Sequence, residues 1–119
     1  MRITIDPESA VPPFEQVRMR IIEMIGSGDL LVGTRLPTVR ALAEQLSIAP
    51  NTVARAYREL ETAGVIETRG RKGSFIRARS DSATQRAQRL TVTHVAELRA
   101  LGVDDTTIAS MLRTALTTD

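Results

Sequence analysis

The apolar positions of this chain change period several times, and each change marks an element. Ile3 and Ile5 alternate with polar residues in "MRITI", a short strand candidate that Pro7, Pro12 and Pro13 then interrupt. Phe14, Val17, Ile21, Met24 and Ile25 recur at helical spacing. Pro13 suits the start of that helix because its missing N–H would have had no partner there. Gly26 and Gly28 supply the stop. "LLVGTRLPT" reads as a connector, with Leu36 held extended by Pro37.

Thr38 is an N-cap candidate for a helix whose apolar stripe is Val39, Leu42, Ala43 and Leu46. "SIAP" is a tight turn. The next helix starts at Pro50 after Ala49, buries Val53, Ala56, Tyr57 and Leu60, and stops at Gly64. "VIETR" and "SFIRA" then read as two strands around the Gly-bounded basic turn "GRKG". Two helices joined by a tight turn form a helix-turn-helix, and a basic hairpin directly after it makes a winged version.

From Ser80 the pattern changes. "SDSATQ" reads as a linker or frayed helix start. Ala87, Leu90, His94, Leu98 and Leu101 keep helical spacing up to Gly102. Asp104 is an N-cap candidate for a last helix striped by Ile108, Met111, Leu112 and Ala115. The chain thus divides into a winged helix-turn-helix over residues 1–79 and a two-helix hairpin over 80–119. A hairpin of this size cannot bury two apolar stripes alone, so it must pack on the first domain or on another copy.

Composition narrows the chemistry. The 119 residues contain no Cys and one His, which leaves no thiolate metal site and little for zinc. His94 reads as a packing residue. No nucleophile–base pair, phosphate-cradling glycine loop or metal-ligand cluster stands out, so no enzyme activity, cofactor or metal is expected. No apolar run approaches the length of a membrane span and no basic-then-apolar leader opens the chain, so the expectation is a soluble, cytosolic protein without a membrane partner.

The net charge of +2 conceals an uneven distribution. Residues 1–34 are net −2, residues 35–79 are net +5 and residues 80–119 are net −1. A basic middle third suits a polyanionic partner, although charge alone would also suit a solvated surface.

With Val53, Tyr57 and Leu60 inward, Asn51, Thr52, Arg55 and Arg58 fall on the outer side of their helix. The first turns of such a helix reach base edges in a DNA groove. Asn suits adenine, Arg suits guanine, and Thr suits a thymine methyl or a phosphate. Arg58, one turn beyond Arg55, is placed for a phosphate. Arg40 sits in the first turn of the preceding helix, where a cation works against the helix dipole and an external anion would offset it. Arg69, Arg71 and Lys72 crowd the hairpin turn, a basic tip suited to a phosphate-rich groove.

"PPFEQVRMRIIEMIGSGDLLVGTRLPTVRALAEQLSIAPNTVARAYRELETAGVIETRGRKGSFI" resembles the winged-helix DNA-binding domain of the GntR family over residues 11–77. "PNTVARAY" and the short two-helix tail resemble its YtrA subfamily. The resemblance implies a bacterial transcriptional regulator, typically a repressor, whose tail dimerises. It implies DNA contacts at Arg40, Asn51, Thr52, Arg71, Lys72 and Gly73. Ala49, Pro50 and Ala54 stand where many members carry Ser or Thr and two arginines, which moves the arginine contact to Arg55. Gly70 before Arg71 departs from the usual Arg-Gly-Lys-Gly turn.

The expected partners are therefore an operator in double-stranded DNA and a second copy of the chain. The copy would meet Leu90, Leu98, Leu101, Ile108, Met111, Leu112 and Ala115, and half-sites would lie about one helical turn apart. The different-class alternative is a winged helix serving protein assembly. The sequence does not specify a small-molecule effector, the operator or the sign of regulation.

Overall fold

The computed structural model describes residues 1–77 and 83–118, apart from the side chain of Thr84. It forms two compact units, Met1–Asp81 and Ser82–Asp119. The expected boundary at 79/80 and the first half of the "SDSATQ" stretch lie outside the described residues, and its second half opens the first helix of the second unit.

The first unit contains α1 (Pro13–Ser27), α2 (Val39–Leu46), α3 (Pro50–Thr62), β1 (Ile66–Thr68) and β2 (Ser74–Ile76). Its helix ends follow local chemistry. Pro13 occupies the first turn of α1, and Gly28 closes that helix in the left-handed region at φ 88°. Gly26 falls within α1 and does not end it. The Thr38 hydroxyl accepts from the Ala41 N–H and caps α2. Ala49 precedes α3 with no side-chain cap, and Pro50 presets the first turn.

The connection between α2 and α3 is tight because Ser47 adopts the left-handed conformation, φ 56° and ψ 43°. That lets the Ile48 N–H reach back to the Ala43 carbonyl at 3.0 Å. Leu42, Ala43, Val53, Ala56 and Leu60 then meet Val17, Ile21 and Met24 in one apolar core, closed by Leu36, Ile66 and Ile76. Phe14, Ile25, Val39 and Leu46 are partly buried against it.

β1 and β2 pair antiparallel, with Ile66 opposite Ile76, Glu67 opposite Phe75 and Thr68 opposite Ser74. Each strand spans three residues, shorter than the hairpin pattern suggests, and a 3₁₀ turn over Gly70–Lys72 occupies the tip. The connector before α2 adds an edge to this hairpin. Arg35 bridges to Phe75, the Leu36 N–H donates to the Ser74 carbonyl at 2.8 Å, and the Ile76 N–H donates to the Thr34 carbonyl at 2.9 Å. The expected N-terminal strand is not formed. Ile3 is buried in the core, but its segment joins no ladder among the described residues.

The second unit is a helical hairpin of α4 (Ala83–Ala100) and α5 (Asp105–Leu116). Gly102 is left-handed at φ 87°. The Asp104 carboxylate accepts from the Thr107 N–H at 2.8 Å, which caps α5 and holds the Asp104 carboxyl below its ordinary range. Arg99 clasps Asp105 through two hydrogen bonds of 2.8 and 2.9 Å across the turn. No helix of the described residues is long and apolar enough to cross a membrane.

Candidate nucleic-acid interface

Burial of Val53, Ala56, Tyr57 and Leu60 fixes the rotation of α3 about its axis. Asn51, Arg55 and Arg58 are consequently exposed, and Thr52 is half-buried at the edge of the same face. Tyr57 also sets the helix against the segment leading into α2, because its hydroxyl donates to the Pro37 carbonyl at 2.7 Å. Burial pushes the Tyr57 phenol well above its ordinary range, so it stays a neutral donor.

The cations fall into two groups. Arg40, Arg58, Arg71 and Lys72 are exposed and join no ion pair among the described residues. Arg40 opens α2, Arg58 lies on α3, and Arg71 and Lys72 occupy the 3₁₀ turn at the wing tip. Exposed cations without carboxylate partners keep their N–H donors available for an external anion.

Arg55 and Arg69 belong to the second group. The Arg55 guanidinium carbon stacks 3.7 Å from the centre of the Phe14 ring, and its Nε lies 4.0 Å from Glu59. Glu59 is also 3.8 Å from Arg18, which is bound to Glu15 at 2.6 Å. The Arg18 hydrogen bonds hold the Glu15 carboxyl below its ordinary range. Arg69 pairs with Glu67 at 2.6 Å and stacks over Phe75 at 4.3 Å, so it braces the wing. Helical spacing allows the Arg55–Glu59 and Glu15–Arg18 pairs, but it gives no sign of Arg55 stacking on Phe14 or of Arg18 reaching Glu59.

Gly73 ends the wing turn at φ 110°, a conformation that excludes ordinary side chains. A Cβ there would also stand 3.0 Å from the Arg35 Nε. Arg35 is thus an exposed basic residue beside the wing that sequence reasoning missed. Its signal is the backbone pairing of Arg35 with Phe75, which joins segments 40 residues apart and leaves no local periodicity.

The hairpin residues divide differently. Leu90, Leu101 and Met111 are 71%, 79% and 46% exposed, Ala115 is exposed, and Leu98 and Leu112 are half-buried. Ile108, from the same expected set, is only 4% exposed within its own chain. His94 is exposed in the single chain, contrary to its reading as a packed residue.

Comparison with known proteins places this geometry. Residues 13–76 match the model of the bacterial regulatory proteins, gntR family. The HTH-type transcriptional regulator Rv1152 of Mycobacterium tuberculosis is 48% identical over 101 residues, 85% of this chain and 83% of that protein. The HTH-type transcriptional repressor YtrA of Bacillus subtilis is 43% identical over 74 residues, 62% of this chain and 57% of that protein. Among solved structures, YtrA from Sulfolobus acidocaldarius, a GntR-family transcription factor, matches with a TM-score of 0.63 at 32% identity, covering 85% of this chain and 98% of that one. The DNA-binding domain of AraR in complex with an operator matches with a TM-score of 0.56 at 25% identity, covering 61% and 93%.

Proposed function

The chain belongs to the gntR family of bacterial regulatory proteins as a YtrA-like, DNA-binding transcription regulator and not an enzyme, and we propose that it is a repressor that occupies a two-fold operator as a homodimer. The observation that carries this reading is the set of exposed cations, Arg40, Arg58, Arg71 and Lys72, that join no ion pair among the described residues and lie on the helix-turn-helix and wing. In this reading α3 enters the major groove, with Asn51, Thr52 and Arg55 toward base edges. Arg40, Arg58, Arg71 and Lys72 meet phosphates, and Arg69 and Gly73 keep the wing in shape.

Repression is supported by the Bacillus relative, a transcriptional repressor, and an operator by the AraR complex. The homodimer is supported by the exposed Leu90, Leu101 and Met111, apolar surface that a monomer would leave in water. Leu98, Leu112 and Ala115 extend that proposed interface. A regulator of this kind works in the cytoplasm, where it meets the chromosome.

Capture of genomic DNA fragments by the purified protein, followed by sequencing, tests the proposal. Enrichment of a short inverted repeat is expected. Recovery of fragments with no shared sequence would overturn it.

A further inference from the structure

We infer that Phe14, on α1 and outside the helix-turn-helix, is the positioning residue for Arg55 and thereby sharpens the base preference read by α3. The inference rests on the operator-binding reading above.

A long exposed arginine on a recognition helix has many rotamers and loses most of them when it docks on a base edge. Here the side chain is already held. Its guanidinium carbon lies 3.7 Å from the centre of the Phe14 ring. Glu59, one turn further along α3, lies 4.0 Å from the Arg55 Nε. Glu59 is itself anchored from α1 by Arg18 at 3.8 Å, and Arg18 by Glu15 at 2.6 Å. The chain Glu15–Arg18–Glu59–Arg55–Phe14 therefore starts and ends on α1.

The way Arg55 is held leaves it able to read a base. Stacking uses the flat face of the guanidinium, whereas recognition of guanine uses the N–H donors in its plane. A bidentate carboxylate would have occupied those donors. The Glu59 contact is on Nε, and at 4.0 Å it is too long for a hydrogen bond. Arg55 remains 56% exposed on the outer side of α3, so its terminal nitrogens can meet DNA while its face rests on the ring.

Two variants isolate the ring from the apolar volume that Phe14 contributes to the core. Phe14→Leu keeps the apolar contact and removes the π face, whereas Phe14→Tyr keeps both. Duplexes enriched by the wild-type protein from a randomised library serve as the probe. Phe14→Leu should weaken binding to them by about two- to fivefold and broaden the preference at one base position. Phe14→Tyr should bind as wild type. In the Arg55→Ala background, Phe14→Leu should cause no further loss.

A loss that multiplies with that of Arg55→Ala would show that Phe14 acts independently and would overturn the inference, as would unchanged affinity and preference in Phe14→Leu. Thermal melts confirm that each variant is folded, and Phe14→Met replaces Phe14→Leu in the cycle if the latter is not. Failure of the wild-type protein to enrich any sequence is a separate result. It would remove the operator-binding reading itself, and this inference with it.

Discussion

The Tyr57 hydroxyl, on the inner face of α3, donates to the Pro37 carbonyl 2.7 Å away, one residue before the cap of α2. One side chain thus ties α3 to the segment that launches α2. Removing the hydroxyl leaves a carbonyl short of its donor and an otherwise intact apolar ring. Tyr57→Phe should therefore destabilise the fold by about 1 kcal/mol.

The same bond gives a pH prediction. Burial raises the folded-state pKa of Tyr57 above its unfolded value, so its contribution to stability is fully present at neutral pH. It declines as pH rises above about 10, where the unfolded phenol ionises. Thermal melts across that range should show Tyr57→Phe losing less stability than wild type. Identical alkaline profiles would place the pH dependence elsewhere.

α2 and α5 have side-chain caps, from Thr38 and Asp104, but α3 does not. Ala49→Ser should add a hydroxyl acceptor and stabilise the free protein by about 1 kcal/mol. Pro50 has no N–H and the Thr52 N–H turns back to the Ala49 carbonyl at 3.0 Å, so the uncapped first turn of α3 would otherwise keep the Asn51 N–H for a phosphate. DNA affinity should accordingly stay level or fall slightly, as binding isotherms on the same variant would show. Tighter binding would contradict the reserved-donor account.

Much of this was legible in the sequence, because periodicity and caps are local. Val17, Ile21, Met24, Leu42, Val53 and Leu60 are buried on the faces their spacing assigns, and Thr38 and Asp104 cap the helices they precede. The failures are non-local. Ile3 and Ile5 alternate like a strand, but a strand needs a neighbour with free backbone groups, and Ile3 enters the core from an irregular segment. Arg35 joins the wing through Phe75, and Arg55 stacks on Phe14 from 41 residues away. Neither pairing leaves a trace in the spacing of either segment. Ile108 shares its stripe with Met111, but the turn clasped by Arg99 and Asp105 brings α5 back against α4, and Ile108 is buried while Met111 is not.

The proposed dimer face yields a prediction about assembly. Met111→Asp places a charge on a surface that the proposed dimer would bury, and an unpaired buried carboxylate is costly. Light scattering should show this variant shifted toward monomer, and removal of residues 80–119 should leave a folded monomer. Both should bind a two-fold site far more weakly than wild type, because two linked half-site contacts become separate events. A truncated chain that remained dimeric would move the interface to the first unit.

The wing tip makes a prediction of a different kind. Lys72 is exposed on a turn of backbone, next to Arg71, and no base edge is needed to explain it. Lys72→Ala should weaken binding to every duplex about equally and reduce the salt slope by about one. A loss confined to one sequence would make Lys72 a base reader.

Whether the helix-turn-helix and wing bind an operator is decided by the salt dependence of binding, measured by titrating wild-type protein against an enriched duplex and a scrambled duplex of equal length. If basic groups of the helix-turn-helix and wing meet phosphates, log affinity should fall linearly with log salt for both, by about 0.9 for each phosphate neutralised. The enriched duplex should bind more tightly at every salt concentration, because Asn51 and Arg55 add contacts that the scrambled one lacks. Equal affinity for the two duplexes, or binding indifferent to salt, would contradict the account.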